Sequence, residues 1–407
     1  MTYNRREFTH LAVFGAAATA LGMAAPTATA ATASATTTAA TPAAAGSDVP
    51  WGGPLAPDKP LAKAYDTAAK ALSEVDDNPV IRWQYRVWCQ TGYRGIGDAG
   101  TGQPVDELPD PTQDFVSPNG FLHKNHIRPM PAGGVQFLDN AWYFGTDFTG
   151  LVIVRTPDGG LVMLDSLTTP DDMRTQFLDQ ASAAGLDPRR IRYVFIGHRH
   201  VDHTGGANLI RDRYAPTAKF VMGQPDAQYV AKTRAELRAH RDEYTKEEYK
   251  AKLAVLPSRI DIQIKAYPSH TVGMERIEIA PGTEAVAALA PGHTEGQMTV
   301  IVPVEHRGKT SKVVVWSGND NADAASQYAI SSDFVQGLAA QEGADAFINT
   351  HAYQGAAFSH LRTLKADPSA PNPLLMGVAG VQRHIEIFGT AHRALAQRLL
   401  DGTWKAM

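Results

Sequence analysis

Residues 197–206 read GHRHVDHTGG and crowd His198, His200, Asp202 and His203 into six positions, with two glycines behind them. Imidazole nitrogens and carboxylate oxygens in such density are the donors of a metal site. The stretch follows VFI, which reads as the end of a strand. Alternate side chains of a strand share a face, so His198 and His200 are expected to point together. Asp202 and His203 fall in the next turn and can reach a second point a few ångströms away. Gly205 and Gly206 are expected to turn the chain sharply where bulkier residues would crowd the site. Four such donors suit two adjacent cations better than one. Zn²⁺ is the first choice for this donor set, with Fe or Mn also compatible.

A site of that size needs donors from elsewhere. APGHTEGQ at 290–297 offers His293, just after the apolar run AVAALA. INTHAYQG at 348–355 offers His351 at the end of another apolar run. Both sit at strand ends, where sites gather in open sheets.

The elements that must position these groups are legible from pattern. VQFLDNAWYFGT reads as a strand pair. GLVIVRTPDGGLVMLDS reads as two apolar strands hinged at Pro157-Asp158-Gly159-Gly160. A helix is expected over 170–185, ended by Gly185. RYVFIGHRH is a buried strand running into the histidines, and KFVMG at 219–223 is another. Residues 224–255 are highly charged and helical, either a solvated face or a cap over the site mouth. Further strands are expected at 274–279, 284–290, 298–304 and 312–317, then DAFINTH, and a final helix near 381–400. Residues 59–76 have helical spacing, with Leu61, Tyr65, Ala68, Ala69 and Leu72 on one side. Residues 81–130 read as irregular. Hairpins mixed with intervening helices suit an α+β fold of two mixed sheets with helices on the outer faces.

Composition narrows the chemistry. The 407 residues are 43% apolar and 20% charged, which fits a globular chain with a real core. A net charge of −4 gives no reason to expect nucleic acid as a partner. The single cysteine, Cys89, excludes an intramolecular disulfide and any thiolate zinc cage. Residues 1–30 read as a signal peptide with Arg5 and Arg6 before a short apolar run and small residues at Ala28 and Ala30. NRREFTHL resembles the twin-arginine export signal. The run is too short and weak for a stable membrane span. Residues 31–50 read as an Ala/Thr-rich disordered spacer. Residues 51–134 are expected to be an extension packed on a core domain at 135–407. Export machinery and a small-molecule substrate are the expected partners, and the cell envelope, periplasm or exterior the expected location.

Taken together, H-x-H-x-D-H, P-G-H-T-x-G and a late strand-terminal histidine resemble the metallo-β-lactamase superfamily over residues ~135 to 400. The likeness is greatest to the metallo-β-lactamase subclass whose first zinc site is made of three histidines. GLDPRRIRYVFIGHRHVDHTGG resembles its helix–strand–motif unit, and PNPLLMGVAGVQRHIEIFGTAHRALAQRL its closing helix. The resemblance implies an αββα sandwich and an exported dinuclear zinc hydrolase. It implies His198, His200 and His293 around one cation, and Asp202, His203 and His351 around the other. A metal-bound hydroxide would then attack an amide or ester carbonyl, a β-lactam among the candidates, with Asp202 orienting it catalytically. Asp165, at the end of LVMLD, resembles the aspartate that braces the ligand turn. Many relatives add a bridging Asp where VVVWSGND stands here. That position falls on Asn319, or on Asp320 after a one-residue slip. Asparagine there favours the lactamase-like ligand set over lactonase- and thioesterase-like ones.

Lactonase or esterase activity on the same fold is the enzymatic alternative, and a mononuclear iron oxygenase a further one. A non-catalytic metal-binding protein is the alternative of another class. His123 and His126 read as loop residues or cleft lining, and Tyr353 as a candidate for facing substrate. His240, His306, His360, His384 and His392 read as structural.

Overall fold

The computed structural model describes residues 53–54, 56–75, 77–85, 129–146, 148–318, 324–352 and 357–405. The expected signal peptide and spacer, and also Trp88, Cys89, His123, His126, Asn319, Asp320 and Tyr353, lie outside the described residues.

A two-residue strand β1 (Gly53–Pro54) and helices α1 (Pro60–Ser73) and α2 (Pro79–Tyr85) come first. A seven-stranded sheet follows, made of β2 (Val135–Leu138), β3 (Ala141–Gly145), β4 (Gly150–Arg155), β5 (Leu161–Leu164), β6 (Ile191–Phe195), β7 (Lys219–Gly223) and β8 (Ile262–Ile264), in that spatial order. Its first four strands pair antiparallel through hairpins, and β5 to β8 run parallel. Parallel neighbours need crossovers. These hold α3 (Pro170–Met173), α4 (Val201–Thr204), α5 (Gln224–Ala239) and α6 (Lys246–Ala254). The second sheet has β9 (Gly273–Ala280), β10 (Thr283–Leu289), β11 (Met298–His306), β12 (Lys309–Trp316) and β13 (Ala346–Asn349), with only the β12–β13 pair parallel. Helix α7 (Ala325–Glu342) forms that crossover. Helices α8 (Ala357–Ala366) and α9 (Gly377–Asp401) and strand β14 (Trp404–Lys405) close the chain.

Strand patterning explains the layers. Along GLVIVR of β4, Val152 and Val154 enter one core while Leu151 and Ile153 enter another. A strand with apolar residues on both faces must be covered twice. One face is covered by Met173 and Phe177 of the α3 region and by Ala227, Val230 and Leu237 of α5. The other meets the five-stranded sheet, and that core continues to Tyr328 and Val335 of α7 and Ile385 and Phe388 of α9. The result is the α+β, helix–sheet–sheet–helix sandwich that the pattern predicts. Among the described residues no helix is long and apolar enough to cross a membrane.

Away from the histidines, local expectations fail in three places. The 170–185 segment is not one helix. It passes from α3 into a π turn (Arg174–Leu178) and a 3₁₀ turn (Ala181–Ala184) before Gly185 at φ 67°. Gln180 Nε2 donates to the Thr175 carbonyl at 2.7 Å, taking an acceptor that a continuing helix would use. Met173, Phe177 and Ala181 are nonetheless all buried, so the apolar spacing was real. In α1 the covered side holds Ala62, Ala69 and Ser73, and Leu61 is exposed. Small residues face inward there because α1 lies close against α9, with Arg398 reaching Asp58 and Asp66. Residues 81–85 belong to helix α2 rather than an irregular stretch, anchored by buried Ile81 and Trp83.

Candidate metal centre

Strand β6 ends at Phe195, three residues before the first histidine of the motif. His198 and His200 therefore lie in a bend rather than on a strand face. They still converge, with ring centroids 4.8 Å apart. The bend is held from both sides: Ile196 N–H donates to the Val221 carbonyl, and the Gly197 carbonyl accepts from Met298 N–H. His200 is the N-cap of α4, whose single turn carries Asp202 and His203 back toward His198. Gly205 has an ordinary helical φ of −61°, so it is not needed for a sharp turn. It is needed for contact, since a Cβ there would lie 1.9 Å from the Thr168 carbonyl oxygen. The left-handed backbone falls on Asp165 (φ 67°) and Leu167 (φ 58°), in the segment that wraps this turn.

Two donor groups result. Donor atoms of His198, His200 and His293 lie within 4.8 Å of one another. His200 Nδ1 is 2.9 Å from His293 Nε2. His293 comes from the loop after β10, where its N–H donates to Gln297 Oε1 at 2.9 Å. Beside this trio, His203 Nε2 is 3.0 Å from His351 Nε2, and Asp202 Oδ2 is 3.3 and 3.6 Å from the two. His351 follows β13, and its N–H donates to Asn349 Oδ1 at 2.8 Å. The structure thus brings together all six residues singled out from the sequence, from three separate strand ends.

The outer nitrogens of these rings are already engaged. His203 Nδ1 donates to Asp165 Oδ2 at 2.7 Å, and His351 Nδ1 donates to the Phe148 carbonyl at 2.9 Å. Those bonds leave the two Nε2 atoms, which face each other and Asp202, as the positions that take a proton or a cation. His198 Nδ1 lies 3.2 Å from Ser317 Oγ, and its Nε2 is buried without a hydrogen-bond partner. An orphaned ring nitrogen, and two ring nitrogens facing each other beside a carboxylate, fit a cation.

For His198, His293 and His351 the electrostatics agree with that reading. Burial and the neighbouring rings hold His198 and His293 well below the ordinary imidazole value. Burial and His203 bring His351 down to about 4. His203 differs: burial opposes its charge, but Asp165 and Asp202 outweigh that and lift it to about 10, so without a cation it holds a second proton where a metal would sit. For Asp202 burial works upward, and His203, His351 and His200 overcome it to keep the carboxylate ionised.

Asp165 is where the sequence places it, buried behind His203, and also accepts from Gly197 N–H at 2.6 Å and Ser317 Oγ at 2.9 Å. Ser317, the Phe148 carbonyl and Asp226 were not singled out by pattern. Ser317 directly follows β12, so the strand-end signal that found His293 and His351 also applies to it.

The stretch 145–306 matches the family model described as Metallo-beta-lactamase superfamily. That stretch carries a metallo-β-lactamase superfamily domain. The matched stretch holds every metal-site candidate except His351, which lies beyond its end. The match and the histidine cluster identify a metal-dependent hydrolase. Similar solved structures include metallo-β-lactamase SMB-1 bound to 2-mercaptoethanesulfonate, at 18% identity and TM-score 0.49, covering 67% of this chain and 98% of that one. A mutant of the FEZ-1 metallo-β-lactamase from Legionella gormanii is 19% identical at TM-score 0.49, covering 68% and 98%. BJP-1, a subclass B3 metallo-β-lactamase of Bradyrhizobium japonicum, is 19% identical at TM-score 0.46, covering 67% and 94%.

Proposed function

We propose that this superfamily member is an exported dinuclear zinc hydrolase that cleaves an amide or ester bond, with β-lactams the first substrates to test. The observation that carries the proposal is the pairing of a three-histidine group with an Asp202–His203–His351 group that shares its wall. His198, His200 and His293 would hold one zinc ion, and Asp202, His203 and His351 the other. Bound there, zinc supplies a Lewis acid for a carbonyl oxygen and a water acidified to near neutral pH.

The chain's own residues do the rest. Asp165 and the Phe148 carbonyl fix the ring orientations of His203 and His351 through their Nδ1 protons. Asp202, kept ionised, presents Oδ2 as the acceptor for a proton released in the cleft. His200 and half-buried His293 lie on the open side, where substrate must enter, while His198, His203 and His351 are sealed behind them. No serine or cysteine nucleophile is required. Arg5, Arg6 and the following apolar run support export to the envelope or exterior.

The deciding experiment is a zinc-loaded hydrolysis screen over β-lactams, acyl lactones and phosphoesters, with chelator and His200→Ala controls and elemental analysis of bound metal. Lactam turnover that both controls abolish, with two zinc ions per chain, is expected. Turnover that survives His200→Ala removes the metal site from the reaction. Inactivity of the fully loaded protein across the panel reassigns the chain as a metal binder. Mass spectrometry of the exported protein tests removal of residues 1–30.

A further inference from the structure

We propose that Asp226 is a positioning residue that sets the distance between the loop bearing His198 and His200 and the loop bearing His293. Asp226 lies in the first turn of α5 and is fully buried. Its Oδ2 accepts from Arg199 N–H at 2.9 Å and from Thr294 Oγ at 2.6 Å. Its Oδ1 accepts from the Arg199 guanidinium at 2.9 Å and from Gly296 N–H at 3.1 Å. Each oxygen therefore takes one donor from each loop. Arg199 stands between His198 and His200, and Thr294 directly follows His293.

A carboxylate can accept about four hydrogen bonds, and these four fill that capacity. Bonds to a buried charged acceptor are also the strong kind. Packing reinforces the clamp. A Cβ on Gly296 would lie 2.4 Å from the Asp226 backbone nitrogen, so the His293 loop is pressed onto the start of α5. Arg199 is itself held, over the Tyr229 ring at 4.4 Å and against Glu295. A residue that merely neutralised Arg199 would need no bonds to Thr294 and Gly296.

The inference rests on reading His198, His200 and His293 as a cation site. Asp226→Asn keeps the shape but turns an NH₂ group toward one Arg199 donor and one donor of the 293 loop, whichever way the amide faces. In the otherwise unchanged mature chain, zinc affinity, measured by competition with a chromophoric chelator, is expected to fall roughly 10–100-fold. The visible absorption of the cobalt-substituted protein is expected to change in shape and intensity. A folded Asp226→Asn protein with parental zinc affinity and parental cobalt spectrum overturns the proposal. Should that variant not fold, Thr294→Val removes one donor from one loop without changing charge. A severalfold affinity loss and an altered cobalt spectrum there support the proposal, and parental values overturn it. A parent protein that takes up neither metal overturns this inference and the proposed function together. A parent that binds cobalt and hydrolyses nothing overturns only the hydrolase reading, because the spectral comparison does not depend on turnover.

Discussion

Asp165 Oδ2 and His203 Nδ1 are 2.7 Å apart, and both groups are sealed from solvent. The carboxylate fixes which nitrogen of His203 faces the candidate metal centre, and its second oxygen ties down Gly197 at the root of the motif. Asp165 also has a left-handed backbone, which Asn tolerates better than most residues. Asp165→Asn therefore isolates the loss of charge from the backbone. The variant is expected to fold, with zinc affinity reduced roughly 10–100-fold. Titration against a zinc indicator, beside a melting curve, checks this, and unchanged affinity would separate Asp165 from the metal.

Gly205→Ala tests the packing of the motif turn. The new Cβ meets a backbone carbonyl, which yields less readily than a side chain. A loss of about 1–3 kcal/mol is expected, seen as a lower denaturant midpoint at unchanged slope. Stability equal to the parent's would show that the Thr168 segment can retreat.

Acid sensitivity should reside partly in α9. His384 and His392 are buried there, and burial lowers them to about 3 and about 4. Between those values and about 6.5, the unfolded chain binds a proton at each site and the folded chain does not. Stability is then complete above about pH 6.5 and falls as pH drops toward 4, at about 1.4 kcal/mol per pH unit for each group. His384 Nδ1 also has no hydrogen-bond partner. His384→Leu is expected to hold or slightly raise stability at pH 7 and to flatten the acid limb. Denaturation at pH 7 and pH 5 measures both, and an unchanged slope would refute the assignment.

Arg398 binds Asp58 through two hydrogen bonds of 2.9 and 2.7 Å and also meets Asp66. The two carboxylates keep part of their exposure, so the loss on Arg398→Met falls short of that for a fully buried pair, at about 1–3 kcal/mol. Chemical denaturation measures it, and a parental midpoint would mean that α1 is held by packing alone.

Much of this was legible in the sequence, for identifiable reasons. Continuous apolar runs bounded by turn residues located the strands, because a strand covered on both faces can afford few polar residues. His198, His200, Asp202 and His203 announced themselves by local density. His293 and His351 were found only because each ends an apolar run. Asp226 gave no such signal, since its partners are side chains and amides 27 to 70 positions away. The Phe148 carbonyl could give none, being a backbone atom that any residue would supply. The inward side of α1 was legible only in part: Ala69 is buried and Tyr65 and Leu72 are half-buried, but close helix packing selected Ala62 over Leu61.

The pairing of β1 with β14, beside the Asp58–Arg398 contact that spans 340 positions, bears on how the chain matures. On the ribosome, β1 and α1 have no such surface to settle on until α9 and β14, about 340 positions later, have been made. Docking of α1 therefore waits for α9, and a chain stalled before α9 would expose α1 to proteases and chaperones.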